Sequence, residues 1–383
     1  MERLKIGILD PLGHHAGFHY YTEGLAEGLA RAGVDATVYG FEVAEIEGAA
    51  FRSVNAYAGL YGGDPAWRRG LRYVRGLLSS LKDARAHRVQ VVHIHCFHYD
   101  IREVMAAAAV KVFGFRLVVT LHDIDSFGKS HGRRGRRLIL RLADGVIVHN
   151  AFSFEALKAS GELAAGKVSA VVAHGHYIEN YPDQPSREAA RTDLKLPSDK
   201  LIALFFGNPR TEKGLDLLLE ALREIDDPRL FVVAAGKVRD EQLQELRAME
   251  GGALAGRLRV DAGHVSDADA ERYYRAADLI VIPYRRIYES GVAIMAMSFA
   301  RGVVYSDLPP LTASVGEAGL SFRSEDSADL AARLREALAD PSTADRLGQV
   351  GKARVEETRG WPLIAQQTVV AYQAVLRPRS PRA

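Results

Sequence analysis

LIALFFGNPRTEKGLDLLLEAL, residues 201–222, decides more about this chain than any other stretch. Leu201 to Phe206 is an apolar run of strand length, and a leucine-rich helical pattern starts at Leu215. Between them lies a short loop with Gly207, Arg210, Lys213 and Gly214. A helix N-terminus carries unpaired N–H groups and a partial positive charge, so it favours anions. Arg210 and Lys213 add two cations at that turn, which makes a diphosphate the natural guest. The plain alternative is a surface loop with two solvated side chains.

The same strand–loop–helix rhythm extends in both directions. Upstream, apolar strands are expected at 4–10, 35–41, 89–97, 115–123, 144–150 and 167–175, with helical patterns between them. Downstream of 201–206 they recur at 229–236, 257–263, 278–284 and 302–307. Short apolar strands alternating with helices imply parallel sheets covered on both faces. The expected fold class is therefore α/β, with two Rossmann-like doubly wound parallel-sheet domains facing across a cleft. Residues 1–180 form the first, a polar proline-bearing stretch at 181–200 reads as the linker, and 201–357 form the second. The amphipathic stretch at 358–383 is expected to complete the first domain.

Composition narrows the classes. At 48 % hydrophobic and 26 % charged, the 383 residues are an ordinary globular mix with no apolar run long enough to span a bilayer. MERLKIGILD runs straight into a strand, so no leader is expected. The single cysteine, Cys96, rules out an internal disulfide framework and suits a reducing cytoplasm. Net charge is only +2, but residues 66–141 hold about 16 Lys/Arg against 5 Asp/Glu. In 67–88 and 133–142 those cations interleave with Leu, Tyr, Val and Trp67. That pattern suits an anionic membrane surface, hence a peripheral location on the inner face of the cell membrane. No nucleic-acid motif accompanies it.

Ligands of doubly wound sheets bind beyond the strand carboxyl ends, and polar residues gather there. His14, His15, Gly17 and His19 follow the first strand. His95 and His98 end the third, His122, Asp123 and Asp125 follow VVTL, His149 and Asn150 follow GVIV, and His174 and His176 follow SAVVA. No pair has compact metal-ligand spacing on a helix, so no metal is expected. In the second half, the strand ending at Tyr284 leads to Arg285, Tyr288 and Glu289, and Ser290-Gly291-Val292 opens an apolar helix. This second helix start offers backbone N–H groups to a phosphate.

With these segments in view, the chain resembles the GT-B glycosyltransferases, and within them family 4, which elongates lipopolysaccharide and exopolysaccharide. The resemblance rests on GNPRTEKG (207–214), AADLIVIPY (276–284), SGVAIMAMS (290–298), VVTLHD (118–123), AGKV (235–238), GHVSD (263–267) and WPLIA (361–365). It implies transfer of a sugar from a nucleotide-diphosphate sugar to a glycan or lipid-linked acceptor, with retention and without metal or other cofactor. It places the diphosphate at Gly207, Arg210, Lys213, Ser290, Gly291 and Val292. Lys237 and Val265 stand in turns that cradle the base. Tyr284 and Glu289 belong to the donor segment, His122 lies near the donor sugar, and the 14–19 loop meets the acceptor.

Two departures from the family pattern matter. Its paired glutamates fall at Ile287 and Met295, while Glu289 stands two residues off the first position. The arginine usually beside the loop glycine is displaced to Arg210, and Ala300-Arg301-Gly302 replaces Gly-x-Pro. Two rival readings follow: a non-catalytic sugar-nucleotide-binding protein, and a sugar-nucleotide epimerase of similar fold.

Overall fold

The computed structural model describes residues 3–13, 19–41, 49–124, 132–181 and 185–377. The chain divides into two compact units, Met1–Gly175 with Arg359–Ala383, and His176–Thr358. Unit 1 runs β1 (Lys5–Asp10), α1 (His19–Arg31), β2 (Asp35–Gly40), β3 (Arg52–Asn55), α2 (Ala66–Ala86), β4 (Val91–Cys96), α3 (Ile101–Val112), β5 (Arg116–Leu121), α4 (Gly132–Leu142), β6 (Gly145–Val148), α5 (Ala151–Ala159) and β7 (Val168–Val171). Its sheet is parallel, in the order β3-β2-β1-β4-β5-β6-β7. The order reverses between β1 and β4, so the crevice for ligands opens at their carboxyl ends.

Unit 2 runs α6 (Arg187–Asp193), β8 (Leu201–Phe206), α7 (Leu215–Glu224), β9 (Leu230–Gly236), α8 (Asp240–Gly251), β10 (Leu258–Ala262), α9 (Asp267–Ala276), β11 (Leu279–Ile282), α10 (Gly291–Ser298), β12 (Gly302–Ser306), α11 (Pro309–Val315), β13 (Gly319–Phe322), α12 (Ser327–Ala339) and α13 (Ser342–Thr358). The sheet order is β10-β9-β8-β11-β12-β13, again parallel. The 201–206 run is one of its two central strands, buried from Ile202 to Phe205. Its switch point lies between β8 and β11, beside the loops singled out in the sequence.

The structure adds to the sequence expectation in two places. β3 and β13 are four-residue edge strands, too short and too mixed in polarity to stand out by pattern. The stretch read as linker contains α6, which packs on α9 and belongs to unit 2. The last helix, α14 (Trp361–Leu376), packs in unit 1 against α1. Here Gly24 and Gly28 of α1 are packing residues: a Cβ on Gly24 would lie 2.2 Å from the Trp361 ring, and one on Gly28 2.8 Å from the Trp361 carbonyl oxygen. Close approach compensates for two poor helix formers.

Candidate functional site

In unit 2 the carboxyl ends of β8, β9 and β10 finish in Gly207, Gly236 and Gly263, all at positive φ. Gly207 N donates to Ala235 O, and Gly263 N to Gly236 O. Asn208 Oδ1 accepts from Lys237 N at 3.3 Å, tying the first turn to the second. The three turns thus form a backbone floor without side-chain bulk. Lys237 is exposed and Val265 half-buried along this edge.

The loop after β8 closes as a single 3₁₀ turn, Thr211–Lys213, and Gly214 starts α7 at φ 64°. A Cβ on Gly214 would lie 1.9 Å from the Pro283 carbonyl oxygen, so only glycine lets this loop meet the one after β11. Arg285 fastens the same junction. Its guanidinium pairs with Asp216 at 2.6 and 2.9 Å and donates to Thr211 O, and its amide donates to Glu212 O. Arg285 is therefore a strut between loops, a role the sequence did not disclose because Asp216 lies 69 residues away.

Lys213 Nζ sits 5.5 Å from the centre of the buried Tyr284 ring and 2.6 Å from where a Gly207 Cβ would be. Burial, then the charge of Arg210, lower the Lys213 pKa to about 8. Burial raises the Tyr284 phenol, while Arg210 and a hydrogen bond with Ser290 oppose that rise. Tyr284 thus connects Lys213 and Arg210 on one side to Ser290 on the other. Ser290 is buried and caps α10, its Oγ accepting from Ala293 N at 3.2 Å. Gly291 and Val292 open the helix, half-exposed. Ser306 Oγ donates to Tyr284 O at 2.5 Å and holds the end of β11 in place. Glu289 Oε1 accepts from Ser290 N at 3.3 Å, so this carboxylate lies at the same turn. Met297, eight residues after Glu289, is fully buried core and offers no second carboxylate.

Unit 1 holds a histidine cluster around Tyr21, whose ring contacts His95, His122, His149 and His174 at centroid distances of 4.8–5.4 Å. His149 Nδ1 lies 3.0 Å from Val172 O, His149 Nε2 3.0 Å from His122 Nδ1, and His122 Nε2 3.1 Å from His95 Nδ1. Burial comes first, and neighbouring imidazoles add to it, in driving His95 and His122 well below the ordinary histidine pKa. The neutral chain has one polarity. Val172 O can only accept, so His149 carries its proton on Nδ1, and the same assignment passes to His122 and His95. His95 Nε2 is left as a buried lone pair without a partner. Both nitrogens of His122 are engaged, and its ring stacks on Phe97.

Of the expected acceptor residues, His19 is buried at the start of α1, while His14, His15 and Gly17 lie outside the described residues. Asp125 also lies outside them. A pocket at the carboxyl ends of β1 and β4, walled by Asp10, Tyr57, Tyr61, Tyr73, His98 and Glu103, was not legible beforehand. Its tyrosines come from the connection between β3 and α2 and from α2 itself. Among the described residues no group of three His, Cys, Asp or Glu could hold a metal ion.

Two parallel doubly wound units, the second with a cationic loop and a capped helix start at its switch point, are the architecture of the GT-B class. The family described as Glycosyltransferase Family 4 matches residues 16–176, and that described as Glycosyl transferases group 1 matches 200–340. The chain belongs to these glycosyltransferases. It is 32 % identical over 257 residues to D-inositol 3-phosphate glycosyltransferase of Streptomyces avermitilis, covering 63 % of this chain and 54 % of that one. It is 27 % identical over 306 residues to GDP-mannose:glycolipid 4-beta-D-mannosyltransferase of Xanthomonas campestris, covering 75 % and 80 %. The match thus spans about half the length of the first relative and four-fifths of the second. In fold it is similar to sucrose-phosphate synthase of Thermosynechococcus elongatus (TM-score 0.76, 21 % identity, 97 % of this chain and 99 % of that one). It is also similar to Anabaena HepE in complex with UDP-glucose (TM-score 0.75, 19 % identity, 97 % and 100 %).

Proposed function

We propose that the chain transfers a sugar from a nucleoside-diphosphate sugar to a glycan or lipid-linked acceptor in polysaccharide assembly. The observation that carries this is the meeting of Lys213, Arg210 and the Ser290 turn around Tyr284. When the bond from the sugar's anomeric carbon to the diphosphate oxygen breaks, negative charge grows on the diphosphate. Arg210, Lys213 and the amides of Gly291 and Val292 would stabilise that charge. The amides at a helix start are not used in its own ladder. The departing phosphate would take the acceptor hydroxyl's proton, with retention of configuration and no metal. The glycine floor would receive the base beside Lys237 and Val265. Unit 1 would bind the acceptor, with the tyrosine-lined pocket and the 14–19 loop as its side. His122 would contact the sugar by giving up one imidazole partner. Release of nucleoside diphosphate from a sugar nucleotide by the purified chain tests the reading.

The acceptor reading extends to a membrane surface. Trp67, Leu71, Val74 and Leu78 form one stripe along α2, 66, 44, 36 and 40 % exposed, with Arg68, Arg75 and Lys82 also exposed on the helix. On α4, Arg133, Arg134, Arg137 and Arg141 are exposed beside Leu138. Arg136 departs from the sequence expectation. It is buried, pairs with Glu162 at 2.7 Å and donates to Ile124 O, because it lies on the inward face of α4. No described helix is long and apolar enough to cross a membrane. The chain should float with phosphatidylglycerol vesicles at low salt. Neutralising Arg133, Arg134, Arg137 and Arg141, or raising ionic strength to about 0.5 M, should release it. Flotation unaffected by either change would remove the membrane from this account.

A further inference from the structure

The opposite edge of the unit 2 sheet holds a charge that the donor reading does not use. Arg301 lies between α10 and β12, at the amino-terminal end of the strand. It is 8 % exposed, and its Nε is enclosed without a hydrogen-bond partner. Arg275, at the end of α9, has an enclosed Nε that pairs with Glu271 at 3.4 Å without making a hydrogen bond, and its guanidinium lies 5.0 Å from the centre of the Phe299 ring. Phe299 precedes Ala300 and Arg301, so both guanidinium groups belong to one corner.

The carboxylates around this corner are already engaged. Gly302 pairs with Leu279 across β12 and β11, which brings Arg301 beside Asp278. Asp278 is held by Arg191 at 2.6 Å and Arg187 at 3.2 Å. A Gly302 Cβ would lie 2.9 Å from Ala344 O, which brings the corner beside Asp345, and Asp345 is held by Arg187 at 2.5 Å. Glu271 lies 3.4 Å from Arg275 Nε. Four arginines thus face three carboxylates, and Arg301 is the one with no hydrogen bond or ion pair to any of them, although Asp278 and Asp345 lie near enough to act on its charge. Burial first, then the charges of Arg187 and Arg275, depress its pKa to about 10, while Asp278 and Asp345 oppose that fall. An unpaired buried cation is costly unless an anion accompanies it.

We propose that Arg301 and Arg275, with the edge of Arg187, form a second oxyanion site of phosphate class at the amino-terminal edge of the unit 2 sheet. It is separated from the donor loop by the length of β11, about 13 Å. Planar guanidinium groups suit a tetrahedral oxyanion, and Arg301, whose side chain makes no hydrogen bond within the fold, would supply most of the donors. Free phosphate and a phosphomonoester share this chemistry. The site stands independently of the donor assignment.

Thermal unfolding of the full chain in phosphate- and sulfate-free buffer tests it, with inorganic phosphate titrated at constant ionic strength. Wild type and Arg210→Ala/Lys213→Ala should both gain melting temperature with phosphate. Adding Arg301→Met to that double variant should abolish the gain. Arg301→Met alone should melt no lower than wild type without phosphate, since it removes a buried charge that no carboxylate hydrogen-bonds. Arg275→Gln, on a less buried side chain, should weaken apparent phosphate affinity about tenfold in the donor-loop variant. A second titration with glycerol 3-phosphate separates the two ligand sources, and either one raising the melting temperature supports the site. Loss of the whole response in Arg210→Ala/Lys213→Ala would overturn the proposal. So would a response that survives Arg301→Met and Arg275→Gln.

Discussion

Replacing Lys213 with alanine should lower kcat/KM for the sugar-nucleotide donor by about 100-fold, close to 3 kcal/mol, with Arg210→Ala close behind. Lys213 loses a direct charge to the diphosphate. Arg210 loses both its own charge and its influence on Tyr284 and Lys213. Because the two cations act on one leaving group, the double variant should fall short of the product of the single effects. The Lys213 pKa of about 8 adds a pH signature. As pH rises through 8 the free protein's ammonium is lost, so donor affinity should decline above that value. In Lys213→Ala this decline should disappear. Steady-state kinetics across pH 6.5–9.5 reads both effects, and unchanged donor kinetics in either variant would remove the loop from the site.

The second large effect is acid instability of unit 1. Burial depresses His93 and His174 from 6.5 to about 3, and His95 and His122 move in the same direction. A base whose folded pKa is depressed stays neutral in the fold while the unfolded chain takes up its proton. The stability this gives is present above pH 6.5 and is lost as pH falls toward 3. From pH 6.5 to 4.5, His93 and His174 alone should remove about 4–5 kcal/mol. Denaturant unfolding at the two values measures this. His93→Gln, which keeps polar contact with Tyr372 and Thr120, should cut the proton uptake on unfolding by about one. Stability that is flat between pH 6.5 and 4.5 would contradict the buried neutral cluster.

The central strands and the phosphate loop were legible because their signals are local: an apolar run, a glycine, two cations and a helix start within fifteen residues. β3 and β13 were not, since edge strands lack the doubly buried run. Long-range partnerships were equally hidden. Nothing in sequence separation links Arg285 to Asp216, or Arg136 to Glu162. The histidines were visible as strand-end residues, but not their polarity, which depends on the Val172 carbonyl at the far end of the chain of rings. Ala300 was visible as a departure from the family's glycine. The fold holds it at φ 53°, against Gly348, where a Cβ would lie 2.0 Å from the Ala300 oxygen.

The most direct measurement is nucleoside-diphosphate release by the purified chain, supplied in turn with UDP-, GDP- and ADP-sugars and a lipid extract as acceptor source. The account predicts release above background with at least one donor, lost in Arg210→Ala/Lys213→Ala. A chain that binds a sugar nucleotide and releases no diphosphate above background, or one whose release survives the double variant, would contradict it.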